Sequence, residues 1–216
     1  MIRTVPKLEL DGIGQRYAKQ IVFEGIHQTF GAGVHLLTGP SGVGKSTLLR
    51  LCATAERAAS GVVRWNGTPL PRSRKALRRV LGYAPQSVDL PLDLTALEFL
   101  SHMAALKGLG RAGSHSLGLL EQLALGADAS KRIMAFSGGM RRRLVLAQAF
   151  LGAPELLVLD EPTAELDGET AAQVASLVAA RAEHTVVLLT THLRAHFDSV
   201  PLAAYVVTER SLRPCS

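Results

Sequence analysis

The chain has 216 residues, of which 47% are hydrophobic and 19% are charged. That length and composition predict one globular domain with a sizeable core, and they exclude a disordered or low-complexity chain. The formal net charge of +6 at pH 7 suits an anionic partner, which a nucleotide, a nucleic acid or an anionic membrane surface would each supply.

The cysteines, the apolar runs and the N-terminus exclude further classes of protein. Cys52 and Cys215 lie far apart with no partner at metal-ligand spacing, which excludes a disulfide framework and a zinc site. The longest apolar runs, such as 156–159, are much shorter than the roughly 18 residues of a membrane-spanning helix. The first ten residues lack the basic and then apolar layout of a secretory signal, so we expect a cytosolic protein.

Short alternating apolar positions predict strands in the N-terminal part of the chain. In the first 37 residues they form brief runs separated by glycines, and Val62 to Trp65 form another run before an Asn66-Gly67 turn. We therefore expect a small antiparallel β subdomain built from about residues 1–35 and 60–70.

Helical spacing begins at Thr95, where Thr95 and Glu98 form a capping-box pattern ahead of apolar residues that continue to Leu106. The remaining predicted elements are, in chain order, a weaker helix over 117–125, a helix over 140–151, a strand over 156–159, a helix over 168–182 and a strand over 186–190. Strands and helices alternate toward the C-terminus, which predicts a parallel sheet covered by helices.

A glycine-rich segment connects a predicted strand over 34–38 to a predicted helix that begins at Thr47. This segment, G-P-S-G-V-G-K-S over 39–46, fits the pattern G-x-x-x-x-G-K-[ST] in the strand, loop and helix context that the pattern requires. Backbone N–H groups of such a loop bind a polyphosphate, Lys45 reaches the β- and γ-phosphates, and the Ser46 hydroxyl is placed to ligate Mg²⁺. The alternative is a glycine turn that only joins a strand to a helix.

Two carboxylates end the apolar run over 156–159. Asp160 and Glu161 would lie at the carboxyl end of a parallel strand, where such sheets form their ligand crevice. Since neighbouring strand residues point to opposite sides, we expect Asp160 to join the Mg²⁺ sphere and Glu161 to polarise the attacking water. A solvated acidic strand end is the alternative. Together with the phosphate loop, these residues predict a P-loop nucleoside triphosphatase.

The segment F-S-G-G-M over 136–140, which places Ser137 23 residues before Asp160, resembles the signature of the ATP-binding-cassette (ABC) family, typically L-S-G-G-Q. Phe136 and Met140 depart from that pattern at its outer positions. A serine followed by glycines opens a helix, so that a hydroxyl and bare N–H groups can meet a phosphate. The resemblance implies that this phosphate belongs to ATP held by another subunit, and a helix cap with two flexible glycines is the alternative.

The resemblance covers essentially the whole chain and implies further roles. Gln86 matches the glutamine that contacts Mg²⁺ and the attacking water and that begins the lever toward a membrane partner. His192 matches the histidine that contacts the γ-phosphate, and Tyr17 matches the aromatic residue on which adenine stacks. The alternatives are polar surface for Gln86, a structural strand-end histidine, and a packed tyrosine. In the loop over 164–167, Glu165 stands where a small residue is more usual in the family.

The implied fold is α/β: a P-loop NTPase (RecA-like) core with a mostly parallel sheet, a small antiparallel β subdomain and an α-helical subdomain over about 88–150, all within one nucleotide-binding domain over 1–216. The implied catalytic residues are Glu161, His192, Gln86 and Lys45, and the implied Mg²⁺ ligands are Ser46, Gln86 and Asp160. The implied ATP-binding residues are Tyr17, Gly39, Pro40, Ser41, Gly42, Val43, Gly44, Lys45, Ser46, Thr47, Ser137, Gly138 and Gly139.

The implied function is ATP hydrolysis that powers transport through a separate transmembrane permease subunit. A homodimer, or a dimer with a related ATPase subunit, would enclose two ATP molecules on the cytoplasmic side of the cell membrane. Segments 93–100 and 139–144 most resemble ATPases of bacterial exporters, and the chain ends soon after His192, without the regulatory domain of many sugar importers. Both points favour export. The alternatives are a soluble ABC-type ATPase that acts on the ribosome or nucleic acid, which we expect less, and a catalytically silent regulator.

Two basic clusters lie outside these motifs. The first consists of Arg72, Arg74, Lys75, Arg78 and Arg79. For this cluster we expect a solvated face, with anionic lipid headgroups or nucleic acid as alternative ligands. The second, Arg141 to Arg143, lies on the helix after the signature, where the family commonly has basic residues, so it needs no separate ligand.

Overall fold

The computed structural model describes residues 5–70, 72–110 and 112–215. In these ranges the strands are β1 (Leu8–Tyr17), β2 (Gln20–Phe30), β3 (Gly33–Thr38), β4 (Ser60–Trp65), β5 (Thr68–Pro69), β6 (Leu81–Ala84), β7 (Leu156–Asp160), β8 (Val186–Thr190), β9 (Leu202–Thr208) and β10 (Ser211–Pro214). The α-helices are α1 (Lys45–Cys52), α2 (Arg74–Val80), α3 (Ala96–Leu106), α4 (Ala112–Gln122), α5 (Gly138–Phe150) and α6 (Gly168–Ala179). Short 3₁₀ turns lie at Gly126–Asp128, Ile133–Ala135 and Arg194–Phe197.

The central sheet has six strands in the order β10-β9-β3-β8-β7-β6. The five strands from β9 to β6 run parallel, and β10 is antiparallel to β9 at the edge. Every residue of β7 and β8 is buried, because helices and the second sheet cover both faces, and this explains the continuous apolar runs in their sequences. The predicted parallel sheet is confirmed.

The second sheet has four antiparallel strands in the order β2-β1-β4-β5, which confirms the predicted antiparallel layer. Its large side chains, among them Leu8, Ile13, Phe23 and Phe30, are fully or almost fully buried with α1 and one face of the central sheet. At one edge the two sheets come together, where the Glu24 N–H donates to a main-chain carbonyl of the β9–β10 turn at 3.3 Å.

Helices α3, α4 and α5 pack together on the other face of the central sheet. The capping box at α3 is present: the Thr95 hydroxyl accepts from the Glu98 N–H at 3.2 Å, and the Glu98 carboxylate accepts from the Thr95 N–H at 2.8 Å. This cap fixes where the chain turns from the long loop after β6 into the helical part.

Several predicted boundaries were wrong. The helix predicted over 117–125 is α4, which begins earlier and ends at Gln122 because Ala124 takes a left-handed conformation with φ of 53°. The helix predicted over 168–182 ends at Ala179, where tighter turns follow. The signature helix begins at Gly138 rather than 140, and α1 begins at Lys45 rather than Thr47.

Among the described residues, no helix is long and apolar enough to cross a membrane. Cys52 is buried and Cys215 is exposed, and both are free thiols as expected.

Candidate functional site

A cavity of about 300 Å³ lies at the carboxyl ends of the parallel strands β3, β6, β7 and β8. It is lined by Ser41, Gly42, Gly44, Lys45, Ser46, Thr47, Gln86, Asp160, Glu161 and His192. The loop after β3 supplies one wall, and the ends of the other three strands supply the opposite wall. The structure therefore brings together most of the residues that were singled out along the sequence, in the crevice that parallel sheets use for ligands.

The glycine loop between β3 and α1 cannot carry larger residues at two of its positions. Gly39 has φ of 137°, and a Cβ atom there would lie 2.3 Å from the Val207 carbonyl oxygen of β9. Gly44 has φ of 108°, and its Cβ would lie 2.5 Å from Val22 and 2.9 Å from Phe23 of β2. Both sheets thus hold the loop in its curled shape.

The N-terminus of α1 is open to a ligand. Gly44 caps the helix without any side-chain hydrogen bond, so no capping side chain satisfies the first N–H groups of α1, whose residues Lys45, Ser46 and Thr47 line the cavity. The Lys45 ammonium donates to the carbonyls of Gly39 at 2.7 Å and Pro40 at 2.9 Å, which holds it across the loop. A helix N-terminus with a lysine at this place binds phosphate groups well.

The two carboxylates at the end of β7 have different partners. Asp160 stands opposite Thr190 in the register of β7 and β8, and its Oδ1 accepts from the Thr190 hydroxyl at 2.6 Å. The Glu161 carboxylate accepts from the His192 backbone N–H at 3.0 Å, and its other oxygen lies 3.4 Å from His192 Nε2. Both carboxylates are almost fully buried, so the alternative of a solvated acidic strand end is wrong.

Glu161 has an unusual main-chain conformation. Its φ of 52° is left-handed, which non-glycine residues seldom adopt without support from their surroundings. The support on its amide side is Thr190, whose hydroxyl accepts from the Glu161 N–H at 3.0 Å. In this conformation the Glu161 side chain contacts His192, whereas Asp160 contacts Thr190. The two carboxylates can therefore have different chemical roles.

The signature residues do not line this cavity. Ser137 caps α5, and its hydroxyl accepts from the Met140 N–H at 3.3 Å. The loop over 164–167 packs against the two glycines: a Cβ on Gly138 would lie 3.0 Å from the Glu165 carboxylate, and one on Gly139 would lie 3.1 Å from the Glu165 carbonyl oxygen. Their predicted contact with a phosphate held by another subunit stays a prediction.

Tyr17 also lies outside the cavity lining, at the end of β1. Its hydroxyl donates to Glu56 at 2.5 Å and accepts from Arg50 at 3.3 Å, while Arg50 donates to the Thr47 hydroxyl at 2.9 Å. Burial opposes ionisation of Glu56, but hydrogen bonds from Tyr17, Arg50 and Gln15 outweigh it and hold the pKa of the carboxyl below its ordinary value. The hydrogen bonds of Arg50 connect Tyr17 to Thr47 at the end of the phosphate loop. The stacking of adenine on Tyr17 stays a prediction.

The sequence analysis missed three side chains that shape the site. Thr190 orients Asp160 and the Glu161 main chain, Arg50 of α1 contacts Tyr17, and Arg142 donates to the main-chain carbonyls at the end of β7. Thr190 and Arg50 match no motif, and Arg142 appeared in the sequence only as one member of the basic cluster Arg141 to Arg143, for which no separate ligand was expected.

Comparisons with known proteins agree with this geometry. The family model "ABC transporter" matches residues 24–164, which is more than half of the chain. Nod factor export ATP-binding protein I of Paraburkholderia xenovorans (strain LB400) is 34% identical over 190 residues, which are 86% of this chain and 62% of that protein. Daunorubicin resistance ATP-binding protein DrrA3 of Streptomyces coeruleorubidus is 35% identical over 200 residues, 89% of this chain and 62% of that protein. The chain thus spans less than two thirds of the length of these relatives.

Solved structures share the fold. An ATP-binding subunit of an ABC transporter superposes with a TM-score of 0.86 at 26% identity, covering 97% of this chain and 88% of that one. The dimeric structure of MJ0796, a bacterial ABC transporter cassette, gives a TM-score of 0.86 at 22% identity over 95% and 96% of the two chains, which supports the fold alone. With the family model, the assembled phosphate loop and the confirmed α/β architecture, these findings establish that the chain belongs to the ABC transporter family.

Proposed function

We propose that this chain binds and hydrolyses ATP with Mg²⁺ and thereby powers transport through a separate membrane permease. The observation that carries the proposal is that Lys45 and Ser46 of the phosphate loop line the same cavity as Asp160, Glu161 and His192 at the strand ends. Phosphoryl transfer needs positioned charge more than covalent chemistry, and this cavity supplies positioned charge of both signs.

The donor atoms around the cavity fit Mg²⁺. Ser46 offers a hydroxyl, Gln86 an amide oxygen and Asp160 a carboxylate, which are the oxygen ligands that this ion takes together with substrate phosphates. Thr190 holds the Asp160 carboxylate in place from behind. Bound Mg²⁺ supplies charge neutralisation at the β- and γ-phosphates.

In the proposed reaction the backbone of the glycine loop and Lys45 hold the phosphates, which aligns the γ-phosphate with Glu161. The Glu161 carboxylate orients the attacking water and accepts its proton, because it is buried and fixed by the His192 N–H at 3.0 Å. His192, whose side chain is 63% exposed, faces the open side of the cavity, where it can contact the γ-phosphate.

A dimer completes the proposed site. At the start of α5, Ser137 and Gly138 are exposed and Gly139 is half-buried, and none of the three lines the chain's own cavity. We propose that they contact ATP held by a second copy of this chain, or by a related ATPase subunit, so that two ATP molecules lie in the interface. Since this chain contains both halves of the site, a homodimer can hydrolyse ATP at both.

The names of the relatives support export. The relatives with 34% and 35% identity are named for Nod factor export and daunorubicin resistance. We propose by this likeness that the permease partner of this chain exports its substrate, with the ATPase bound at the cytoplasmic side of the membrane. The transported compound is selected by the permease.

The substitution Glu161→Gln tests the ATPase assignment. It removes the base and keeps the shape of the side chain, so we expect ATP binding to persist, turnover to fall by about 100-fold or more, and an ATP-bound dimer to accumulate in size-exclusion chromatography. Lys45→Ala is the matched comparison, because it should weaken ATP binding itself. Wild-type turnover in Glu161→Gln would contradict the assigned base.

A further inference from the structure

Arg142 lies on the second turn of α5 and is 9% exposed. Its guanidinium donates to three main-chain carbonyls: that of Pro85 at 2.5 Å, that of Glu161 at 2.7 Å, and that of Asp160. One side chain of the signature helix therefore binds the end of β7 and the loop that follows β6.

These three carbonyls belong to the segments that carry the proposed catalytic groups. Pro85 directly precedes Gln86, and the other two carbonyls are those of the carboxylate residues themselves. The left-handed main chain of Glu161 is thus held on both sides, by the Thr190 hydroxyl at its N–H and by Arg142 at its carbonyl. A residue in a sparsely populated conformation keeps it only where its surroundings fix it in this way.

The chemistry of this position suits arginine. Guanidinium presents five N–H donors in a rigid planar fork, whereas a lysine ammonium is a point charge on a flexible stem. Burial lowers the pKa of Arg142, and the nearby carboxylates of Asp160, Glu165 and Glu161 act in the opposite direction by favouring the cation. The guanidinium is therefore charge-balanced in the position where it joins the two segments.

The neighbouring arginines provide a contrast within the same helix. Arg143 donates to the carbonyls of Leu123 and Ala124 after α4, and Arg141 donates to the carbonyl of Met134. Those contacts stay within the helical part of the molecule. Among the hydrogen bonds of the described residues, Arg142 alone of the three reaches the cavity residues.

We propose that Arg142 is a positioning residue for ATP hydrolysis, which locks the signature helix to the main chain of Glu161 and to the Gln86 loop. This inference rests on the proposed ATPase function. If Arg142 has this role, Glu161 is oriented for attack only while α5 holds its position. Movement of the signature segment and reorientation of Glu161 are then coupled.

The test compares Arg142→Gln, Arg142→Lys and Arg143→Gln in the full chain. We expect Arg142→Gln to lower kcat by about 100-fold, because small misplacements of catalytic groups have effects of that size, while KM and the Kd for trinitrophenyl-ATP change by less than about threefold. Arg142→Lys should recover part of kcat, since it keeps the charge. Arg143→Gln should keep the kcat of the wild type.

The outcomes separate the positioning role from the ATPase assignment. If the wild type turns over ATP and folded Arg142→Gln keeps its kcat, the positioning role is overturned and the ATPase assignment stands. Equal losses of kcat and nucleotide affinity in Arg142→Gln and Arg143→Gln would show a general packing role and would also overturn it. Wild-type protein that binds ATP without turnover would overturn both. If Arg142→Gln does not fold, an unchanged kcat in Arg142→Lys overturns the role, and a reduced kcat at unchanged Kd supports it.

Discussion

His35 is a buried titratable residue that the proposed reaction does not use. Its ring packs between Phe30 and Tyr205, with ring centroids 5.1 Å and 5.8 Å away, and its Nε2 lies 2.9 Å from the Gly31 carbonyl oxygen. Burial lowers the pKa of His35, and the hydrogen bond to Gly31 offsets only part of that effect. The folded state therefore holds the imidazole neutral at pH values where the unfolded chain already binds a proton.

This sets the sign of a pH dependence. As the pH falls below about 6.5, the unfolded state gains the proton and the folded state does not, so the free energy of unfolding falls, by up to about 1.4 kcal/mol per pH unit. Well above that pH, where neither state binds the proton, His35 contributes no slope. We expect the free energy of unfolding, measured by urea denaturation, to decrease less between pH 7.5 and pH 5.5 in His35→Leu than in the wild type. An equal decrease in the two proteins would contradict the conclusion that the folded state holds His35 neutral.

The site residues show how far single positions could be predicted. Lys45, Asp160 and Glu161 lie in sequence motifs that predict a nucleotide site, and all three line the cavity. Arg142 stands between two other arginines on one helix, and its burial depends on β7 and the loop after β6, which are distant in the chain. Residue type reveals what a side chain can do, whereas its partners follow from the fold.

At the scale of elements, α5 and β6 are in direct main-chain contact. A Cβ atom on Gly82 of β6 would lie 2.0 Å from the Ala149 carbonyl oxygen and 2.9 Å from Leu157. The glycine therefore lets the signature helix pack against the edge strand that leads to Gln86. A helix and a strand that approach this closely have no space for a methyl group between them.

We expect Gly82→Ala to force α5 away from β6 and to lower the free energy of unfolding by about 1 to 3 kcal/mol. The control is Gly118→Ala in α4, where nothing lies within 4 Å of the added methyl group. That change should leave stability unchanged or raise it by up to about 1 kcal/mol, because alanine is the better helix former. Urea denaturation measures both, and a neutral Gly82→Ala would show that the two elements can separate freely.

Element prediction succeeded where periodicity was strong and failed where it was weak. The capped helix at Thr95 and the buried strands β7 and β8 are present near their predicted positions. Helix α2 was missed because its basic sequence buries only Leu77 and so has no apolar stripe. Strands β9 and β10 were not predicted: they contain the buried apolar residues Tyr205, Val207 and Leu212, but no motif marks them in the sequence.

At the scale of the whole molecule, an exposed apolar surface lies beside the Gln86 loop. Val88, Leu92 and Met134 are 48%, 46% and 58% exposed, and the Met134 N–H donates to the Leu92 carbonyl at 3.0 Å. Exposed apolar side chains gathered in this way are typical of surfaces that contact another protein. Their place next to Gln86 suits the proposed permease.

Affinity isolation of the tagged chain from gently solubilised membranes tests this partner. We expect recovery of a polytopic membrane protein at near one-to-one stoichiometry, and loss of that protein with Leu92→Glu at unchanged ATP binding. Leu106→Glu is the control, because Leu106 is 80% exposed at the far end of α3. Recovery with ribosomes or DNA, or of the chain alone, would contradict the transport assignment and leave the ATPase assignment in place.

The order of strands in the central sheet could not be predicted from the sequence. Strand β3 pairs with β8 and β9, whose paired residues are 153 and 168 positions further along the chain, and no local sequence pattern indicates such pairings. The α/β class, the two-sheet layout and the phosphate loop could be predicted because each depends on short segments. The long-range pairings depend on burial summed over the entire fold.

The crowding around the glycine loop has an evolutionary consequence. Gly39 and Gly44 are confined by Val207, Val22 and Phe23, all of which belong to the scaffold. Selection for a stable fold alone would therefore preserve these two glycines in a descendant that had lost its nucleotide. Lys45 is only half-buried and bonded to loop carbonyls, so in such a lineage it is the position free to drift. Among diverged copies, the lysine is therefore expected only where nucleotide binding is retained, whereas the two glycines are expected wherever the fold is retained.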